Sequence, residues 1–185
     1  MISIAALWLP ILVSAVLVFI VSSIIHTVLS YHKSDYSKLP SEDEVGEALG
    51  KFNIPPGEYV IPKAESAADM KSDEYKAKLE KGPVGFMTIM PNGPWSMTGS
   101  LIQWFVYSLF IGIFCAYVTG RIYGPDAYYL DVFRFSGTTA FLGYSIALFQ
   151  DSIWFKRKWS TTLKFVFDGL IYALLTAGTF GWLWP

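Results

Sequence analysis

The chain has 185 residues, of which 53% are hydrophobic, 17% aromatic and only 16% charged, with a mean hydropathy of +0.40. That balance is too apolar for an ordinary soluble domain. A net charge of -1 argues against nucleic acid as a partner, which needs a concentrated basic face, and a lone cysteine, Cys115, excludes an intrachain disulfide.

The first apolar run, Ala5 to Leu29, is broken only by Ser14, Ser22, Ser23, His26 and Thr27. A bilayer span takes roughly 20 apolar residues, so this run predicts a first transmembrane helix, with Pro10 in its opening turns where a missing N–H costs least. It lacks a basic leader and is too long for a signal peptide, so it is expected to be retained.

Residues 31–99 are polar, charged and punctuated by proline. Ser41-Glu42-Asp43-Glu44 predicts a capping box with Glu44 at N3, opening a short helix to about Phe52. Glu58 to Ile61 reads as a short strand after the Pro55-Pro56-Gly57 turn. Ser72 predicts the cap of a second helix, Asp73 to Lys81, with a Glu74–Lys78 pair. Val84 to Met90 alternates as a second strand. These elements predict a small cap on the membrane domain, packed on the bilayer surface or on a partner.

Three further spans are expected, at Leu101 to Val118, Val132 to Phe149 and about Leu163 to Leu183, joined by short turns that make them antiparallel neighbours. The fold class is therefore all-α in the membrane, with four transmembrane helices and a small mixed α/β cytoplasmic cap between helices 1 and 2. The expected divisions are 1–30 for the first helix, 31–99 for the cap and 100–185 for the three-helix bundle. Lys33, Lys38, Lys81, Lys156, Arg157, Lys158 and Lys164 fall on one side, Arg121 on the other with Arg134 already in its helix. This asymmetry predicts both termini outside and the cap inside. Trp8, Trp182 and Trp184 then mark the outer interface, and Trp95, Trp104, Trp154 and Trp159 the inner one.

Two patterns carry the candidate sites. Small residues recur every fourth position at Gly112, Ala116 and Gly120, and again at Ala173, Ala177 and Gly181. Such stripes let helices approach closely, within one bundle or between protomers. Ionisable groups inside spans are costly and become functional candidates by default. Asp168 shares its leaflet with His26, Gln103, Gln150, Asp151 and Lys164, and Lys164, one turn earlier, is the nearest neutralising group. This cluster reads either as a structural polar knot or as a site for a proton, ion or lipid headgroup. Arg134 lies near the opposite surface and is expected to snorkel or to pair with Asp131.

His26, His32 and Asp35 raise the question of a metal. The i,i+6 spacing does not set two imidazoles on one helix face, so neither a closed transition-metal site nor a bis-histidine haem is expected, and no cofactor is assigned. No phosphate-binding glycine loop, nucleophile elbow or HExxH is present.

The stretches YHKSDYSKLP, GPVGFMTIMPNGP, DVFRFSGTTAF and DGLIYALLTAGTFGWLWP resemble a family of small bacterial inner-membrane proteins. The resemblance covers most of the chain and implies a bacterial source, the inner membrane and four spans, with no activity or catalytic residue attached. The leading functional expectation is a non-enzymatic structural or assembly protein, acting as a homo-oligomer or as an accessory subunit of a larger membrane complex. The alternative is a small ion or proton channel or transporter built on the cluster around Asp168.

Overall fold

The computed structural model describes residues 1–185 and is mostly helical. It divides into two compact units, one formed by Met1–Ser37 with Ser96–Pro185 and the other by Lys38–Trp95. Residues 31–37 thus belong with the long helices, not with the polar segment in which the sequence pattern places them.

The helical unit contains α1 (Trp8–Thr27), α4 (Thr98–Ile122), α5 (Tyr129–Ser145), α6 (Phe149–Trp154) and α7 (Trp159–Trp182). A short 3-10 turn, Ile4–Leu7, leads into α1, and the Ser3 hydroxyl accepts from the Ala6 N–H to cap it. Leu7 at the end of that turn and Ile11, Ala15, Val18, Ser22 and Ile25 on α1 are buried at helical spacing, while Trp8, Ile20 and Ile24 on other faces are exposed. A helix with an apolar outer face as well as an apolar inner one suits lipid as its surroundings. The serines donate back to carbonyls of their own helix, Ser14 to Ile11 O and Ser22 to Phe19 O, which satisfies them without water.

The helices alternate in direction. At one end, Ile2 N donates to Gly120 O at 2.7 Å, Asp126 N to Pro185 O at 2.8 Å and Trp184 Nε1 to Gly124 O at 3.0 Å. These bonds gather both termini, the end of α4 and the α4–α5 turn. Side-chain bonds then tie neighbours along their length: Trp104 Nε1 to Ser22 Oγ at 2.9 Å joins α4 to α1, and Tyr107 Oη to Gly143 O at 2.6 Å joins α4 to α5.

Three helical segments, Ile4–Thr27, Thr98–Ile122 and Trp159–Trp182, are long and apolar enough to cross a membrane. The predicted third span behaves differently. Its α-helix, α5, has 17 residues, about 25 Å at roughly 1.5 Å per residue, against a hydrocarbon core of about 30 Å. A 3-10 turn, Ile146–Leu148, interrupts it before α6 continues to Trp154. Arg134, whose Nη1 lies 3.5 Å from Asp131 Oδ1, and a run of glycine, serine and threonine lower its hydropathy.

The Lys38–Trp95 unit holds α2 (Glu42–Gly50), β1 (Gly57–Ile61), α3 (Asp73–Lys81) and β2 (Gly85–Ile89). The strands form an antiparallel pair with Tyr59 opposite Met87. Ser72 caps α3 by accepting from Tyr75 N at 3.1 Å, and Lys78 pairs with Glu74 at 2.7 Å, as the spacing predicts. The expected capping box on α2 does not form. Ser41 takes a left-handed backbone, φ 47, and its side chain makes no cap bond.

Candidate functional site

Helix α1 stops at Thr27, and after Val28–Ser30 the chain makes one 3-10 turn, Tyr31–Ser34, against the start of α7. This turn sets three polar side chains, Tyr31, His32 and Asp35, against two from α7, Lys164 and Asp168. Asp168 is only 1% exposed. One of its carboxylate oxygens accepts from the Tyr31 hydroxyl. The other lies 2.8 Å from His32 Nε2. The second nitrogen of that ring, Nδ1, lies 2.6 Å from Asp35 Oδ2. Asp35 in turn receives Lys164 Nζ at 2.7 Å, and the same ammonium donates to Tyr31 O at 2.5 Å and Ser34 Oγ at 2.8 Å.

The result is one connected network running Lys164, Asp35, His32, Asp168, Tyr31. Both imidazole contacts are hydrogen bonds only when the ring carries a proton on each nitrogen. In that state two carboxylates face two cations and the network is neutral, which is what burial of ionised groups requires. Burial pushes the Asp35 carboxyl up, but the hydrogen bonds from Lys164 and His32 outweigh it and hold the group below the usual carboxylate range. Burial and then the bond to Asp168 push the Tyr31 phenol up, so it remains a donor.

Aromatic rings enclose one side. The His26 and His32 rings stand 4.4 Å apart between centroids, and Phe165 lies 4.9 Å from His32 and 5.7 Å from His26. Arg157 covers the Phe165 ring at 4.6 Å and reaches Asp151 Oδ2 at 3.2 Å.

Several expected members are placed elsewhere. Lys164 pairs with Asp35, not Asp168, its ammonium being taken up by Tyr31 O, Ser34 Oγ and Asp35 Oδ1 of the turn after α1. Asp151, in α6, pairs instead with Arg157 of the α6–α7 turn. Gln103 and Gln150 are exposed and take no part. His26 joins only through its ring contacts. The spacing argument that separates His26 from His32 fails because the chain leaves the helix between them and turns back. Tyr31, His32 and Asp35 are the members of the network that depth reasoning along helices leaves out of the Asp168 cluster. The signal available was an aromatic, a histidine and an acid within five residues, directly after a span and at the depth of the lone buried carboxylate.

Both small-residue stripes face helices of the same chain. A Cβ on Gly112 would meet Ile11 Cγ2 at 3.2 Å, and one on Gly120 would meet Ile2 O at 2.8 Å, so the α4 stripe, with the fully buried Ala116, packs on α1 and the turn before it. A Cβ on Gly137 of α5 would meet Ala177 Cβ at 2.9 Å, and one on Gly181 would meet the Tyr129 ring at 2.6 Å. The α7 stripe, including Ala173, therefore faces α5.

Compared with protein-family models, characterised proteins and solved structures, the chain matches none.

Proposed function

We propose that the chain is a non-enzymatic integral membrane protein with a structural or assembly role, whose Lys38–Trp95 segment makes the contact with a second copy or another membrane subunit. One observation carries this reading: no residue of that segment is buried. A domain of about 60 residues that folds by itself buries about 60% of the surface of its unfolded chain. Phe52, Met70 and Trp95 are all more than half exposed here, so the segment offers apolar side chains to a covering surface. The helical unit supports a structural role as well, because its buried carboxylates are paired with groups from a second segment of the chain.

In this reading all four helical segments of the bundle cross the membrane, α5 completing its passage through the 3-10 turn and α6. The basic residues Lys33, Lys156, Arg157 and Lys158 at one end support a topology in which that end faces the cytoplasm across a bacterial inner membrane and both termini lie outside. A cysteine introduced at Ser66 in a Cys115→Ala background is then expected to resist an impermeant thiol reagent in intact cells and to react once the membrane is opened. Ready labelling in intact cells would invert the orientation.

The experiment for the assembly role is amide exchange across Lys38–Trp95. Protection is expected in native membranes and lost when the assembly is dissociated in harsh detergent, while α1 and α7 stay protected. Full protection in a monomer would refute the role.

A second reading, a small proton or ion path, has one observation in its favour. The Tyr172 hydroxyl, one turn beyond Asp168, is buried without a hydrogen-bond partner. That reading requires reconstituted wild-type vesicles to conduct and Asp168→Asn vesicles to stop conducting while the protein remains folded.

A further inference from the structure

The geometry points to a transition-metal site at the end of α1, formed by His26, His32 and Asp168. One ligand atom from each of these residues lies within 4.8 Å of the other two. Ligands held about 2 Å from an ion stand roughly 3–3.5 Å apart, so small side-chain rotations close the set. Two imidazoles and one carboxylate favour a first-row transition ion such as Zn²⁺ over Ca²⁺ or Mg²⁺, which take oxygen ligands.

The surroundings have the form of an outer shell for such an ion. A metal-bound histidine usually donates its other ring N–H to a carboxylate, which fixes the tautomer and aims the free nitrogen. Asp35 Oδ2 lies 2.6 Å from His32 Nδ1, which leaves Nε2 facing Asp168. Asp35 is held in place by Lys164 at 2.7 Å. The ligating carboxylate is itself oriented, because its second oxygen accepts from Tyr31. His26 is exposed, which gives an ion its way in and leaves room for water in the remaining positions. Binding exchanges one proton for the metal: the ion takes the Nε2 lone pair of His32, and the proton that nitrogen shared with Asp168 leaves to solvent. The Nδ1–H bond to Asp35 is unchanged. The bound ion would clamp α1, the turn after it and α7 together. The site does not depend on whether the chain assembles.

The test uses the full chain in detergent, stripped with a chelator and titrated calorimetrically with Zn²⁺, and separately with Co²⁺ followed by visible absorption. One ion per chain is expected, with release of a proton and a rise in Tm. His26→Phe keeps the ring contacts with His32 and Phe165 but removes the ligand nitrogen. It is expected to leave the Tm of the metal-free protein unchanged and to abolish saturable binding and the Co²⁺ bands. Asp35→Asn is expected to weaken Zn²⁺ binding about 10–100-fold. Absence of one-to-one binding in the wild type, or binding that survives His26→Phe intact, would overturn the site.

Discussion

Replacing Asp168 by alanine is expected to cost about 3–5 kcal/mol of stability, the loss seen when one partner of a buried ion pair is removed. The effect follows from what remains. Asp168 is 1% exposed and its two oxygens are divided between Tyr31 and His32, so its removal leaves the Tyr31 hydroxyl without its acceptor and the His32 ring with Asp35 as its one remaining carboxylate. Asp168→Asn keeps the shape and one acceptor oxygen, and should cost nearer 1 kcal/mol, as intramembrane hydrogen bonds do. Asp151→Ala is the control. Its pair with Arg157 is partly exposed, at 41% and 27%, so its loss should cost no more than about 1 kcal/mol. Thermal unfolding of the three variants in one detergent reads the order directly. An Asp168→Ala protein as stable as Asp151→Ala would mean the network does not hold α7 to the turn after α1.

The second large effect is steric. At Gly137 an added Cβ would lie 2.9 Å from Ala177 Cβ, a rigid atom on the facing helix. Gly137→Ala is expected to destabilise by about 1–3 kcal/mol through overpacking. Adding Ala177→Gly removes the opposing methyl, so the double variant should recover most of that loss, and the cycle should show a coupling of about 0.5–3 kcal/mol. Additive effects of the two changes would mean that α5 and α7 do not meet at these positions.

How much of this was legible in the sequence depends on the kind of signal. Long apolar runs mark α1, α4 and α7 because hydropathy over 20 residues averages out local detail. The small-residue stripes are visible by spacing, but spacing alone leaves open which helix each one faces, and Ile11 and Gly137 decide that. The third segment is less readable, since Arg134 and several small polar residues dilute its hydropathy and a 3-10 turn divides it. The site was half visible. Asp168 stands out as a lone acid in an apolar helix, but its partners come from a turn whose path depends on where α1 frays. Helical periodicity, extended past Thr27, places His32 on the wrong face. Ser41 fails as a cap for a similar reason: a left-handed backbone at that residue overrides its side-chain preference.

Native mass measurement of the mildly solubilised protein decides whether the chain works as part of an assembly. One chain weighs 20.7 kDa. The account predicts a complex at a multiple of that mass, or one containing a stoichiometric second subunit, with Lys38–Trp95 buried in the contact. A 20.7 kDa monomer, fully folded across Lys38–Trp95 and with nothing bound, would contradict it.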